Sequence, residues 1–236
     1  MLSGGLDSTT VAAQAKHQGY ELSAVTLKYG QTHERELQSA SRVATILGIR
    51  HTIIDVSFYG NLAWYSSLTH PEQFAIPSGR TLEQMADDIP MTYVPMRNTF
   101  FLTLGAALLE SQALALIEQE GTPPTDLEPT LLIAANAIDF SGYPDCRPAF
   151  YQTLTETLYQ GSKLGSQFGI RFQIETPLIA LSKAEIVELA IKVGAPLGET
   201  WSCYAGNSVP CGACDSCQLR AKGFAEAGVA DPALGR

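Results

Sequence analysis

The sequence lacks a membrane-length apolar run, an excess of positive charge and any internal repeat. No run approaches the roughly 20 apolar residues that a membrane span needs, and no signal peptide is recognisable. The 15 basic and 24 acidic residues give a formal charge of −9. This charge argues against a broad surface for polyanions but leaves room for a small nucleotide. We therefore expect a cytoplasmic protein without a direct nucleic-acid or membrane partner.

The chain does contain enough apolar residues for a compact core. Of its 236 residues, 45% are hydrophobic, which excludes a disordered chain and suits one large domain or a domain plus a lobe. Four of the five cysteines cluster near the C-terminus. Such a cluster suits a bound metal in a reducing compartment better than it suits disulfides.

The stretch SGGLDST, from Ser3 to Thr9, has the composition of a phosphate-binding loop. Glycines let the backbone approach an anion closely, and hydroxyls and helix N-terminal N–H groups donate to it. Asp7 indicates Mg²⁺, because a carboxylate repels phosphate unless a cation lies between them. The loop has no G-K-[ST] ending and is not a Walker A motif; it resembles the SGGxDS loop of the N-type ATP pyrophosphatases. The alternative is an ordinary Gly/Ser turn.

Hydrophobic periodicity predicts alternating strands and helices. Strands are predicted at 21–29, 51–56, 130–135 and 171–175, and helices at 10–18, 33–47, 98–120, 148–168, 182–193 and 218–227, with 57–96 irregular. The helix at 182–193 is predicted to begin with a capping box formed by Ser182 and Glu185. The alternation predicts an α/β fold with a doubly wound, mostly parallel sheet, in which ligands bind beyond the carboxyl ends of the strands. We divide the chain into an ATP-pyrophosphatase-type domain at 1–194 and a small C-terminal four-cysteine lobe at 195–236.

The start of the sequence conflicts with this topology. Only Met1 and Leu2 precede the loop, whereas a strand that leads into such a loop usually has about 5–6 residues. We expect either that the protein begins upstream of Met1 or that the central strand is a stub, and we favour the first explanation.

The spacing Cys203-x7-Cys211-x2-Cys214-x2-Cys217 predicts a closed metal centre. Four thiolates match tetrahedral Zn²⁺ and leave no position for a reacting water, so we interpret the centre as structural. A [4Fe–4S] cluster is the competing cofactor for the same four thiolates. Four unrelated buried cysteines are the alternative without a metal.

The string DFSGYPDCRP, at 139–148, follows a predicted strand and should therefore lie at the ligand-binding edge of the sheet. A guanine-like edge presents two adjacent N–H donors, and one carboxylate, Asp139 or Asp145, can accept both. Tyr143 or Phe140 is placed to stack on such a base, and Arg147 adds a guanidinium. A polar turn built on the glycine and proline of the string is an equally good interpretation.

Four further side chains lie near predicted strand or helix ends. Asn136 ends a strand and orients a ligand or caps the strand. Arg97 and Lys183 lie at helix N-termini, where anions bind, although each is also explained as a solvated surface residue. Cys146 is either a nucleophile activated by its neighbouring arginine or an inert thiol.

Taken together, these segments resemble one family, the 7-cyano-7-deazaguanine synthases, which are ATP-dependent ligases of queuosine biosynthesis. The matching strings are SGGLDST at Ser3, YGQTHERE at Tyr29, YVPMRNTFFL at Tyr93, DFSGYPDCRP at Asp139, TPLIALSKAEI at Thr176, and TWSCY through CGACDSCQLR at Thr200. The Asp139 and cysteine strings are specific, whereas SGGxDS marks only the superfamily. The resemblance implies structural zinc, a homodimer, and conversion of 7-carboxy-7-deazaguanine, ammonia and ATP to the nitrile with release of AMP and pyrophosphate.

The resemblance also implies roles for individual residues. Binding of pyrophosphate and Mg²⁺ is assigned to Ser3, Gly4, Gly5, Leu6, Asp7, Ser8 and Thr9, and binding of adenine to the backbone at Thr26 and Leu27. The predicted catalytic residues are Asp7, Arg97 and Lys183, and deazaguanine is assigned to Asn136, Asp139, Tyr143, Asp145 and Arg147.

Two other functions compete with this one. A tRNA-modifying sulfur transferase of the same superfamily needs a basic surface and a reactive cysteine pair, which the charge and the closed cysteine cluster disfavour. A non-catalytic zinc-binding module with a vestigial nucleotide domain draws support from the short segment before the loop. The sequence departs from the family at Ala134, where glycine is usual, and at 121–128, which resembles an insertion.

Overall fold

The computed structural model describes residues 1–30, 34–87, 89–136 and 143–234, and these form an α/β fold. The strands are β1 (Ser23–Lys28), β2 (Arg50–Asp55), β3 (Thr130–Leu132) and β4 (Gln173–Glu175). The helices are α1 (Leu6–His17), α2 (Glu34–Leu47), α3 (Phe58–Leu62), α4 (Leu82–Asp87), α5 (Arg97–Glu118), α6 (Pro148–Gly161), α7 (Lys163–Phe168), α8 (Lys183–Lys192) and α9 (Asp215–Glu226).

The strands pair in parallel, as the alternation of strands and helices predicts. β1 pairs with β2 over its whole length, from Ser23 opposite Arg50 onward, and β3 pairs with β4 from Thr130 opposite Gln173. The α/β class with parallel strands is therefore confirmed. Within the described ranges, however, the strands form two separate pairs and not one continuous sheet.

Met1 and Leu2 occupy the space between the two strand pairs, and we call these two residues the stub. The Met1 amino group donates to the Leu132 carbonyl at 2.8 Å, and the Leu2 N–H donates to the Val25 carbonyl at 2.9 Å. Beside the stub lies a cavity of about 600 Å³, which we call the slot, lined by residues of β1, β3 and α5. Two residues thus stand at the position of a central strand.

Helix α5 corrects the expectation that no segment reaches the length of a membrane span. It has 22 residues, and its most apolar window has a mean hydropathy of 1.7, although Glu110 and Gln112 interrupt the apolar residues. Length and composition alone are weak evidence for a membrane span. Leu102, Ala106 and Ala113 of this helix are buried in the core around β3 and β4.

Other differences from the predicted elements have local causes. The helix predicted at 148–168 is two helices, because Ser162 is extended and its side chain caps α7 by accepting from the Gly165 N–H at 3.0 Å. The stretch 57–96 contains the short helices α3 and α4. The first helix begins at Leu6, four residues earlier than predicted, so half of the phosphate loop is already helical.

Candidate active site

The phosphate loop is a tight turn that leads directly into α1. Gly4 has φ +81°, and a Cβ at this position would lie 2.5 Å from the Ala40 backbone nitrogen of α2. Only glycine combines a positive φ with the absence of a Cβ that this close approach requires. The loop is therefore pressed against α2, and its backbone conformation is fixed before any ligand binds.

Hydroxyl groups of the loop complete this turn. The Ser3 N–H donates to Ser8 Oγ at 3.1 Å, and Ser8 Oγ lies 2.9 Å from Ser3 Oγ and donates to the Gly5 carbonyl at 3.2 Å. Ser3, Gly5 and Ser8 line a cavity of about 320 Å³, a size typical of small-molecule sites. Thr9 is fully buried and lies outside this lining.

Asp7 and Lys183 form an ion pair at the entrance of α1. Lys183 Nζ lies 2.9 and 3.1 Å from the two carboxylate oxygens of Asp7. The predicted capping box is confirmed, because Ser182 and Glu185 exchange hydrogen bonds at the start of α8. Gly223 of α9 leaves room for the Lys183 stem, since a Cβ there would lie 2.5 Å from Lys183 Cγ. A carboxylate and an ammonium group are thus held together where phosphate would approach the N–H groups of α1.

The carboxyl end of β1 forms another wall of the cavity. Thr26 and Leu27 are buried and line it. The Thr26 hydroxyl donates to the Leu2 carbonyl at 2.5 Å and lies 2.7 Å from His51 Nε2. The Thr26 side chain is therefore engaged in holding the stub, and the predicted contact with adenine is left to the backbone.

Arg97 supplies positive charge at the start of α5. Burial opposes its charge, but Tyr29, Tyr143 and Asp145 outweigh this effect, so the pKa of Arg97 lies above its ordinary value. Glu36 of α2 lines the same cavity. Burial raises the pKa of the Glu36 carboxyl to about 7, although the positive charge of Arg97 partly opposes the shift.

Tyr143 lines the cavity, and its hydroxyl lies 2.8 Å from Thr92 Oγ1. Burial raises the pKa of Tyr143 to about 12, so this side chain is a neutral hydrogen-bonding group. Asp145 is buried and accepts the Asn98 N–H at 3.1 Å, which caps the N-terminus of α5. The Asp145 carboxylate therefore positions the helix that carries Arg97, and its predicted contact with deazaguanine stays a prediction.

The remaining predicted substrate residues have different surroundings. The Asn136 amide lines the cavity and donates to the carbonyls of Leu178 and Leu181, at 3.2 and 2.5 Å, which fixes the segment before α8. Arg147 is exposed, precedes α6 and lies outside the cavity lining. Asp139 lies outside the described residues.

The four cysteines of the C-terminal segment converge as their spacing predicts. The sulfur atoms of Cys203, Cys211, Cys214 and Cys217 all lie within 4.8 Å of one another, and those of Cys211 and Cys217 are 4.0 Å apart. A tetrahedral zinc ion with Zn–S bonds of about 2.3 Å places its sulfurs about 3.8 Å apart. Backbone N–H groups of Ala205 and Cys211 lie 3.3 Å from Cys203 Sγ and donate to it. The set therefore fits a metal ion bound by four thiolates.

The cysteine centre is tied to the phosphate loop and to the segment before α4. The backbone N–H of Trp201 donates to the Gly4 carbonyl at 2.9 Å. Asp215, which is fully buried beside Cys214, is ion-paired with Arg80, whose Nε donates to it at 3.2 Å. The two ends of the chain thus meet at one cavity.

Sequence reasoning missed several residues of the cavity wall. Tyr29 and Glu36 lie within the string YGQTHERE, and Trp201 and Tyr204 within TWSCY. The two strings were the only signal in the sequence that these residues contribute to the site. The spacing within each string does not show that its residues line a common cavity. Arg97 and Lys183, in contrast, were predicted and line the cavity together.

These features describe an α/β protein with the loop SGGLDST at the N-terminus of α1 and a cluster of four cysteines that fits a metal ion. The family model described as "Queuosine biosynthesis protein QueC" matches residues 1–228, and the chain belongs to this family.

Curated relatives agree over almost the whole chain. The 7-cyano-7-deazaguanine synthase of Thermoplasma acidophilum is 44% identical over 232 residues, covering 98% of this chain and 89% of the relative. The 7-cyano-7-deazaguanine synthase of Trichodesmium erythraeum is 41% identical and covers 99% and 98%, respectively. A solved structure titled as a predicted subunit of tRNA methyltransferase from Methanocaldococcus jannaschii covers 81% of this chain and 73% of its own, at 19% identity and a TM-score of 0.44, too distant to support an argument.

Proposed function

We propose that this chain converts 7-carboxy-7-deazaguanine, ammonia and ATP to 7-cyano-7-deazaguanine, AMP and pyrophosphate, in queuosine biosynthesis. The observation that carries the proposal is the single cavity bordered by the phosphate loop, Arg97 and Tyr143, in a chain of this family. In this cavity the loop would hold phosphate next to groups that suit a planar, polar base.

The chemistry requires activation of a carboxylate, because its unactivated leaving group would be oxide. Adenylation replaces that group with AMP, and ammonia then gives the carboxamide. A second adenylation, on the amide oxygen, allows AMP to leave again as the nitrile forms. The protein contributes positioning and charge stabilisation to both cycles.

Each part of the cavity has a task in this scheme. The N–H groups at the start of α1 and the loop hydroxyls bind pyrophosphate, and Arg97 and Lys183 neutralise phosphate and substrate carboxylate. Asp7 would hold Mg²⁺, which supplies charge neutralisation on the departing phosphates. The four cysteines would hold a structural zinc ion. Recognition of the deazaguanine ring is assigned to Tyr143 and, from the sequence alone, to Asp139, which lies outside the described residues.

We further propose that the enzyme acts in the cytoplasm as a homodimer. The exposed aromatic side chains Phe58, Trp64 and Tyr65 supply an apolar surface of the kind that a second copy covers. Analytical ultracentrifugation of the protein and of Trp64→Glu tests this. A dimer that dissociates in the variant supports the proposal, and a monomeric wild-type protein contradicts it.

The reaction itself is tested by incubating the protein with 7-carboxy-7-deazaguanine, ammonium chloride, ATP and Mg²⁺. We expect AMP, pyrophosphate and the nitrile, measured by mass spectrometry, only when the deazaguanine is present. Asp7→Asn should lower pyrophosphate release at least about 100-fold, the scale for loss of one preorganised electrostatic contact, with unchanged zinc content. Asp126→Asn, which changes an exposed carboxylate, is the matched control. Full turnover by Asp7→Asn, or AMP formation without deazaguanine, would contradict the assignment.

A further inference from the structure

The proposed reaction, on which this inference rests, removes three protons from one nitrogen atom. Nitrogen enters as ammonia with three N–H bonds and leaves within a nitrile that has none. One proton departs when the amide forms, and two depart as the amide becomes the nitrile. A proton acceptor beside the nitrogen is therefore needed repeatedly at the same place.

Two carboxylates line the cavity among the residues that the structure describes there, Asp7 and Glu36. Asp7 is engaged by Lys183 through both oxygens and lies at the phosphate loop. Glu36 projects from the first turns of α2, on the wall that it shares with Arg97, Tyr29 and Tyr204. Among the residues that the structure describes, these three act electrostatically on Glu36 from outside α2.

The surroundings of Glu36 suit a group that alternates between two protonation states. Burial disfavours its charged form and places its pKa at about 7, with Arg97 acting in the opposite direction. A carboxyl group with that pKa takes up a proton and releases it to solvent at neutral pH without a large free-energy cost in either direction. An ordinary exposed glutamate, with a pKa of about 4.3, is a much weaker acceptor.

We infer that Glu36 is the general base that removes the protons of the ammonia nitrogen in this cavity. In the first cycle the ammonia lone pair attacks the carbonyl carbon of the acyl adenylate. As the C–N bond forms, one N–H proton passes to a Glu36 oxygen, the C–O bond to AMP breaks, and AMP leaves with that electron pair. The products are the carboxamide, AMP and protonated Glu36. In the second cycle Glu36 accepts the two amide protons in turn, returning to the carboxylate between transfers by releasing each proton to solvent.

The test compares Glu36→Gln with wild type in two assays on the full chain. Nitrile and carboxamide formation at saturating ammonia should fall about 10²–10⁴-fold, the usual contribution of general-base catalysis. Exchange of labelled pyrophosphate into ATP, which needs the deazaguanine carboxylate but no ammonia, should stay within about threefold of wild type, because adenylation precedes the step that uses Glu36. Glu188→Gln, an exposed glutamate on α8, is the matched control for loss of one negative charge.

The pH profile separates a general base from a structural residue. For wild type, kcat/KM calculated on free ammonia should rise with pH and level off near pH 7, and this rise should disappear in Glu36→Gln. Glu36→Asp, which keeps the carboxylate on a shorter stem, should retain the rise at a lower rate.

The outcomes also distinguish this inference from the proposed function. If wild type forms no nitrile, the proposed function is wrong. If wild type forms nitrile and Glu36→Gln matches it in rate and pH profile, or if exchange and nitrile formation fall equally, the assignment of Glu36 is overturned.

Discussion

The segment that carries the four cysteines and the phosphate loop contribute to the same cavity, through Trp201 and Tyr204 on one side and Ser3 and Ser8 on the other, but the two regions are held in different ways. At the cysteine centre, four sulfurs converge within 4.8 Å, and a buried ion pair between Arg80 and Asp215 supports them. At the loop, the turn itself is well formed, and behind it the structure describes the stub and, beside the stub, the slot of about 600 Å³. Three of the four cysteines of the centre are buried, whereas cavities lie on both sides of the stub that precedes the phosphate loop.

The difference follows from how far apart in sequence the supporting contacts are. The cysteine centre draws its ligands from 15 consecutive residues, and the turn containing Gly212, with φ +72°, brings two of them together. The loop depends on a sheet whose strands come from distant parts of the chain. A change in one strand therefore leaves the cysteine centre intact but weakens the support of the phosphate loop.

Among the variants that test this comparison, one that removes a metal ligand should lose the most stability. Cys214→Ser changes a buried ligand, and structural zinc supplies on the order of 10 kcal/mol to small zinc-dependent folds. We expect loss of bound zinc, measured by plasma mass spectrometry, and a fall in Tm on the order of 10 °C or more.

Cys146→Ala serves as the control, because Cys146 is buried but lies outside the cluster. It should leave the zinc content unchanged. Equal zinc content in Cys214→Ser and in wild type would mean that the four sulfurs do not act as one site.

Breaking the ion pair behind the cysteine centre should have the next largest effect. Arg80→Met leaves Asp215, which is fully buried, without its cation, and such a change costs about 3–5 kcal/mol. Lys163→Met removes an equally close but half-exposed pair with Glu118 and should cost at most about 1 kcal/mol. Urea unfolding measures both free energies, and similar values for the two variants would contradict the described burial.

Substitution in the loop tests whether it is rigid although the described strands form two separate pairs. Gly4→Ala combines a left-handed φ with a clash at the Ala40 nitrogen, and the two effects together should cost about 3 kcal/mol. Gly19→Ala shares the positive φ, of +89°, but meets nothing within 4 Å. It should cost about 1 kcal/mol and leave ATP binding unchanged. If both variants lose the same free energy of unfolding, the loop is not pressed against α2.

The elements that the sequence predicted correctly depend on local signals. The capping box of Ser182 and Glu185 and the cysteine spacing each lie within a few residues, so their physical consequences are readable without knowing the fold. The α/β alternation likewise follows from periodicity within each segment.

The contacts that were missed join distant residues. Lys183 meets Asp7 across 176 positions, and no pattern in either segment indicates the pairing. Asp145 accepts the Asn98 N–H across 47 positions, and nothing near either residue in the sequence indicates this cap; the predicted contact of Asp145 with deazaguanine stays a prediction. The division into two strand pairs also follows from tertiary geometry, although the two residues before the loop had indicated a weak point.

Filling the slot should have the smallest effect on stability. It tests most directly whether the phosphate loop is less firmly supported than the cysteine centre. We would join a five-residue, valine-rich segment to Met1, which extends the stub between β1 and β3. The Met1 nitrogen already donates to the Leu132 carbonyl in the manner of a parallel neighbour, so the register is set. Each buried valine contributes about 2 kcal/mol, and ordering each residue costs about 1–2 kcal/mol, so the net gain should be about 2 kcal/mol, or about 4–8 °C in Tm.

A Gly/Ser segment of the same length should give no gain, since it brings no apolar surface. If the valine-rich segment raises Tm and tightens ATP binding while the zinc content stays constant, the weakness lies in the sheet behind the loop. If it changes neither, the slot does not accept a strand, and the stub suffices to hold the loop.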